Sequence, residues 1–113
     1  MQDSKEIKRL WKFARKIVKK ETYKKLKKLK TEELSHTLKY SIISAFKYEY
    51  HLLLYEVKNL EKSNKDLFFL KNKLILIPSK IKHFEVDYNE ADFYKLSNLI
   101  KETKKEMAEF YNV

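Results

Sequence analysis

The apolar residues of the first twenty positions recur at the spacing of an α-helix. They follow the i, i+3, i+4, i+7 pattern and are Ile7, Leu10, Trp11, Ala14, Ile17 and Val18. Asp3, with Glu6 three residues later, is a candidate capping box and predicts where this helix begins. One side of the first helix is therefore expected to pack against other helices.

The opposite side of this helix is basic. Its members are Lys5, Lys8, Arg9, Lys12, Arg15, Lys16, Lys19 and Lys20. On a helical wheel of about 100° per residue, the apolar and basic groups are centred about 170° apart. Phe13 falls at the edge of the basic side, where its ring either stacks on a nucleic-acid base or closes the margin of the core. After Lys20 the register breaks, which predicts a kink or a new short helix near Glu21 and Thr22.

A long second helix is predicted from Thr31 to Lys62. Its apolar stripe comprises Ile42, Ile43, Phe46, Tyr50, Leu53, Val57 and Leu60, and a second apolar side comprises Leu34, Ala45, Tyr48, Leu52 and Tyr55. A helix that is apolar on most sides is expected to be central. Its narrow polar face carries His36, Tyr40, Ser44, Lys47, His51, Lys58 and Lys62. That face either extends the basic surface or is a solvated strip.

Two apolar quartets flank a polar triplet in residues 67–77. This pattern suits a β-hairpin or a buried helix, and the helix is favoured. Pro78 is expected to end it, which leaves Ser79 to Asp87 as a connecting loop anchored by apolar residues. Asp87 and Glu90 then open a last helix, with a seam of Phe93, Leu96, Ile100, Met107 and Tyr111. The sequence therefore predicts an all-α fold: residues 1–113 form a single compact bundle of four or five helices.

Charge is distributed unevenly along the chain. Residues 1–30 hold 13 of the 26 Lys and Arg residues against three acids, a net charge of +10, whereas residues 31–113 hold 13 basic and 13 acidic residues. A charge block of this kind is typical of proteins with a polyanionic partner, such as nucleic acid or an acidic membrane.

Several chemistries are excluded or disfavoured by composition. The chain has no cysteine and no glycine, so it lacks thiolate metal sites, disulfides and the glycine-rich loops that cradle nucleotides. Its histidines His36, His51 and His83 lack metal-ligand spacing. Glu49 and Glu56 could share one helix face for acid–base work, but ion pairs to the first helix are the favoured interpretation. We expect no catalytic residue, no metal and no cofactor, and hence no enzyme.

The chain has no apolar stretch of the length needed to cross a membrane and no secretion signal at its start. We therefore expect a cytoplasmic protein without a membrane span. A peripheral protein that rests on an anionic membrane surface remains an alternative, because Trp11 and the lysine side would suit it.

The favoured hypothesis is sequence-nonspecific binding of nucleic acid, single-stranded RNA or DNA, through phosphate contacts. The candidate contacts are the eight basic residues of the first helix together with Lys47 and Lys58, and the candidate stacking residues are Phe13 and Tyr40. Other protein subunits are expected partners, and self-association stays open. The main alternative is a module that binds the acidic or nucleic-acid-binding surface of another protein.

Three short motifs resemble a known family. They are Phe13-Ala14-x-x-Ile17-Val18, Thr31-x-x-Leu34 and Leu67-x-x-Leu70-Lys71-x-Lys73, and together they resemble the small helical subunit of type III CRISPR effector complexes. The resemblance implies an all-α subunit in antiviral defence that stacks in copies and holds the backbone of target RNA without reading its sequence. Ser35 stands where that family tends to have an arginine, and Glu109-Phe110-Tyr111 only loosely matches its C-terminal pattern.

Overall fold

The chain folds into five α-helices in a computed structural model that describes residues 4–63 and 65–111, without the side chains of Ser4, Thr31 and Glu32. The helices are α1 (Ser4–Ile17), α2 (Lys20–Leu26), α3 (Thr31–Glu61), α4 (Phe68–Asp87) and α5 (Glu90–Tyr111). No β-strand occurs in the described ranges. The predicted all-α class with four or five helices is confirmed, and the Asp3 capping box lies outside the described residues.

Backbone contacts divide the chain into two compact units, Met1–Phe46 and Lys47–Val113. The first unit contains α1, α2 and the first half of α3, and the second contains the rest of α3 with α4 and α5. α4 and α5 pack against each other. The boundary falls inside one continuous helix, and the single domain over residues 1–113 stays a prediction.

The buried side of α1 differs from the predicted one. Leu10, Phe13 and Ala14 are fully buried, whereas Trp11 is only half-buried. The three buried residues are spaced i, i+3, i+4 and form one narrow stripe, which places Trp11 at its edge. Phe13 is therefore a core residue, and this second interpretation of its position is confirmed.

A new short helix follows α1, as the register break predicted. The break comes slightly earlier than expected, at Val18 and Lys19, and α2 begins at Lys20. Lys19 has an extended backbone, with φ −60° and ψ 146°, so the chain changes direction between α1 and α2. Leu26 would fall on the basic side if α1 continued unbroken. Because the chain changes direction before α2, its side chain is buried instead.

α3 has the predicted extent, but its second apolar side is not buried. Tyr48, Leu52 and Tyr55 of that side are exposed, while the stripe of Ile42, Phe46, Leu53, Val57 and Leu60 is buried. A tyrosine hydroxyl can remain hydrated while its ring covers neighbouring atoms. The expectation that α3 is central and covered on most sides is therefore wrong.

α4 corrects two expectations about residues 67–87. The hairpin alternative is wrong, because residues 68–77 are helical, and Pro78 does not end the helix. The proline ring has no N–H to donate to the Leu74 carbonyl, a loss that costs about 3 kcal/mol in a helix interior. Burial offsets this cost, because one stripe with alternating spacings of three and four continues past the proline: Leu67, Leu70, Leu74, Ile77, Ile81 and Phe84 are all buried.

The turn between α4 and α5 is built by Tyr88 and Asn89. Tyr88 adopts the left-handed region, with φ 53° and ψ 41°, and its N–H donates to the Phe84 carbonyl. Asn89, not Asp87, caps α5: its Oδ1 accepts a hydrogen bond of 2.8 Å from the Asp92 N–H. Asp87 is the last residue of α4, so it cannot take the role expected of it.

Burial raises the pKa of the Tyr88 phenol, and the Glu85 carboxylate raises it further. The folded chain therefore holds this proton more tightly than the unfolded chain, whose tyrosine ionises near pH 10. We expect stability to fall as the pH rises above 10, since the unfolded state loses the proton first. Urea denaturation between pH 9 and 11 should show a smaller loss for Tyr88→Phe than for the unaltered chain. Equal losses would contradict this expectation.

Ion pairs join helices within each unit among the residues that the structure describes. Lys39 pairs with Glu6 in the first unit. In the second unit, Lys71 pairs with Glu61, Lys73 with Glu106 and Lys104 with Glu49. The hydrogen bond that Lys73 Nζ donates to the Glu106 carboxylate raises the pKa of Lys73 above its ordinary value. Glu49 was expected to pair with the first helix, but its partner lies on α5, so that expectation is wrong.

Candidate nucleic-acid interface

The basic residues predicted on the first helix lie at the surface, with one exception. Lys5, Lys8, Lys12, Arg15, Lys16, Lys19 and Lys20 are exposed, and Arg9 is half-buried. Most of them follow one another at spacings of three or four, so they share a side of α1. Their exposure is compatible with contact to a polyanion.

An open pocket lies between α1 and α2, with a volume of about 560 Å³. α1 contributes Lys8, Trp11, Lys12, Arg15 and Lys16, and α2 with the residue after it contributes Tyr23 and Lys27. We call this the basic pocket. Five of its seven lining residues are cations, and none of the seven carries a carboxylate, so the lining favours an anion.

Two aromatic rings meet within the basic pocket. The ring centroids of Trp11 and Tyr23 are 5.2 Å apart and the ring planes are 78° apart, an edge-to-face arrangement. The Lys27 Nζ lies 4.9 Å from the centroid of the Tyr23 ring, within the range of a cation–π contact. The aromatic pair thus shares the pocket lining with five cations, which is the combination that single-stranded nucleic-acid sites use.

The two stacking candidates have different outcomes. Phe13 is fully buried, so its ring cannot stack on a base. The structure corrects that prediction. Tyr40 is 70% exposed on α3 and does not line the basic pocket. The rings that do line it, Trp11 and Tyr23, were not among the candidates. A run of Lys8, Lys12 and Lys16 at spacings of four around Trp11 was visible in the sequence, but the position of Tyr23 depends on how α2 packs.

The two candidate contacts on α3 are exposed but belong to the second unit. Lys47 and Lys58 are separated by eleven residues, three helical turns, and therefore share one side of α3. The structure assigns neither of them to the basic pocket. Lys5, Arg9, Lys19 and Lys20 also lie outside its lining.

Other candidate chemistry is sparse in the part of the chain that the structure describes. His36, His51 and His83 are exposed. Residues 4–63 and 65–111 contain no group of three or more histidine or acidic side chains placed to hold a metal ion. No helix within these ranges has the length and apolar character to cross a membrane.

Ser35 stands where the resemblance to the type III CRISPR small subunits implies an arginine, and this serine is buried. Ser35 is only 4% exposed, so this site on α3 offers no surface contact to a nucleic acid. Comparison of the chain with protein-family models, with curated proteins and with solved structures gave no match. The functional argument therefore proceeds from the geometry of the basic pocket.

Proposed function

We propose that this protein binds single-stranded nucleic acid, without sequence preference, through the basic pocket. The observation that carries the proposal is the pocket lining, in which five cations surround the Trp11–Tyr23 pair. A nucleic-acid strand offers both complementary groups, because each nucleotide has one phosphate and one flat base. Neither an isolated anion nor an apolar ligand would use both parts of the lining.

Lysine contacts to phosphates supply the affinity in this proposal. Each neutralised phosphate releases condensed counterions, so affinity falls with rising salt concentration. Lysine is a flexible point charge and reads no base edge, whereas arginine is the side chain that most often reads guanine. The chain has 24 lysines and only two arginines, which supports contact with the backbone rather than with base edges.

Stacking supplies the preference for a single strand. A base within a duplex is already stacked on its neighbours and cannot reach Trp11, whereas an unpaired base can. Lys27 covers one part of the Tyr23 ring, so Trp11 is the ring to which we assign the base. A stacked base contributes about 1–3 kcal/mol, which corresponds to about 5- to 150-fold in affinity.

Substitutions at Trp11 test this assignment. Trp11→Ala should weaken binding of a single-stranded oligonucleotide by about 5- to 150-fold and should leave duplex binding nearly unchanged. Trp11→Phe, which keeps an aromatic face, should retain most of the affinity. The measurement is fluorescence anisotropy of labelled single strands and duplexes of equal length, with circular dichroism as the control for folding.

The same titration separates the alternative partners. Scrambled oligonucleotides should bind alike, and anionic vesicles and polyglutamate should bind more weakly than single strands. An equal loss for duplex and single strand in Trp11→Ala would contradict the stacking role. Tighter binding to vesicles or polyglutamate would assign the basic pocket to a membrane or to an acidic protein.

The broader role that we propose is that of a non-catalytic subunit in a larger nucleoprotein complex. The resemblance of three motifs to type III CRISPR small subunits supports this part of the proposal, as does a binding surface built mainly for phosphates. Isolation of the chain from its native cell with bound nucleic acid and partner proteins would test it. Recovery of the chain without either would contradict it.

A further inference from the structure

The outer side of α4 carries an exposed apolar patch in the second unit. Phe68 is 61% exposed, Phe69 74%, Ile75 71% and Leu76 47%. These four side chains point away from the buried stripe of the same helix, so α4 is apolar on two sides. In a chain of which 37% of the residues are charged, a cluster of this size marks an interaction surface.

The patch has an internal symmetry in the sequence. Phe68 and Leu76 lie four residues before and after Asn72, and Phe69 and Ile75 lie three residues before and after it. At about 100° per residue, the mean direction of the four apolar side chains coincides with that of Asn72. Asn72 is itself exposed, so a polar amide stands at the centre of the apolar patch.

We propose that this patch binds a second copy of the same chain, with two α4 helices antiparallel about a two-fold axis at Asn72. In that register, Phe68 of each copy meets Leu76 of the other, and Phe69 meets Ile75. The two Asn72 amides meet at the axis, where each can donate to and accept from the other. A polar pair at the centre of an apolar helix interface fixes the register of the pairing.

The charged residues at the rim of the patch do not oppose the pairing of two copies. The two lysines beside Asn72 are each neutralised within their own chain: Lys71 Nζ lies 2.7 Å from the Glu61 carboxylate, and Lys73 Nζ lies 2.7 Å from that of Glu106. Residues 31–113 carry no net charge, while the net charge of +10 comes from residues 1–30. An isologous contact at α4 therefore does not place unpaired lysines of the two copies against each other.

The area and geometry of the patch match a modest dimer. With these exposed fractions, the four side chains offer roughly 500 Å² in each copy, so they can contribute at most about 1,000 Å² in total, near the lower limit for a specific interface. The start of α4 is held in place, because the Phe68 N–H donates to the Asp66 carboxylate over 3.0 Å. The Phe68 and Phe69 rings already pack edge to face, with centroids 5.4 Å apart. Association therefore orders few additional side chains and costs little conformational entropy.

Single cysteines provide a test of both the partner and the register. The chain has no native cysteine. Two helices in contact are about 8–10 Å apart between axes, which brings residues on the two-fold axis within disulfide range. Asn72→Cys should therefore cross-link into a covalent dimer under mild oxidation. Val86→Cys, also at an exposed position of the same helix, would lie about 40 Å from its copy and should cross-link at least about tenfold more slowly.

Sedimentation velocity of the unaltered chain should show a monomer–dimer equilibrium over micromolar concentrations. Ile75→Glu should abolish both the dimer and the cross-link of Asn72→Cys, with the helical circular-dichroism signal unchanged. A monomer at every concentration, or cross-linking of Val86→Cys as fast as that of Asn72→Cys, would overturn the proposal. Binding to neutral phosphatidylcholine vesicles without a dimer would also overturn it and would assign the patch to a lipid surface.

Discussion

Reversal of four pocket lysines should reduce the affinity for single-stranded nucleic acid by at least about 100-fold. The variant replaces Lys8, Lys12, Lys16 and Lys27 by glutamate. All four line the basic pocket, so each reversal removes an attraction to phosphate and adds a repulsion beside it. Because all four are exposed, the helices should remain folded, which circular dichroism would show. Anisotropy titration at fixed salt concentration measures the effect.

A matched control separates the pocket from the overall charge. Replacing Lys80, Lys95, Lys101 and Lys105 by glutamate makes the same change in net charge at four exposed positions of α4 and α5. This control should lose less than about tenfold in affinity, since only the long-range field changes. Equal losses in the two variants would show that the net charge of the chain, and not the basic pocket, determines binding.

Phe84→Ala should lower the free energy of unfolding by about 3–5 kcal/mol. Phe84 is fully buried, and its ring centroid lies 4.9 Å from that of Tyr88 and 5.8 Å from that of Phe93. Truncation removes this packing and leaves a cavity between α4 and the start of α5. Urea denaturation monitored by circular dichroism measures the change.

The control for this substitution is Val86→Ala, two residues further along α4. Val86 is 81% exposed, so its truncation should change stability by no more than about 0.5 kcal/mol. If Phe84→Ala costs as little as Val86→Ala, residues 79–87 would be a loosely attached loop. That result would contradict the continuation of α4 through Pro78.

The helices could be predicted because hydrophobic spacing acts locally. The long α3 and the α5 seam follow from periodicity, and burial of Phe93, Leu96, Ile100 and Met107 confirms most of that seam. Tyr111 is the exception, as it is 57% exposed at the end of α5. A terminal turn has fewer neighbours to cover it, and this is a property of the packing that spacing alone does not reveal.

The errors arise where tertiary packing overrides a local preference. Pro78 is a strong local stop signal, but Ile81 and Phe84 extend the buried stripe beyond it, and their burial outweighs the lost hydrogen bond. Tyr88 adopts a left-handed backbone that usually favours glycine, at a cost of about 1–2 kcal/mol. In a chain without glycine, no sequence signal marks such a turn.

The sequence predicts the charge of the candidate site but not how its side chains are arranged. The lysines of the first helix and the asymmetry of charge predict a basic surface on α1. The pairing of Trp11 with Tyr23 depends on the angle between α1 and α2, which is set by the extended backbone at Lys19. The burial of Phe13 was ambiguous for a related reason. A residue at the edge of the apolar side is buried or exposed according to where the neighbouring helix packs.

Trp11 fluorescence during a salt-dependent titration tests the central claim most directly. Trp11 is the single tryptophan of the chain, so its emission reports on the basic pocket alone. We expect a single-stranded oligonucleotide to quench it, with an affinity whose logarithm falls linearly with the logarithm of salt concentration, at a slope of about −2 to −3.5 for three to five phosphates. Binding detected by anisotropy with unchanged Trp11 emission, or with an affinity insensitive to salt, would contradict the account.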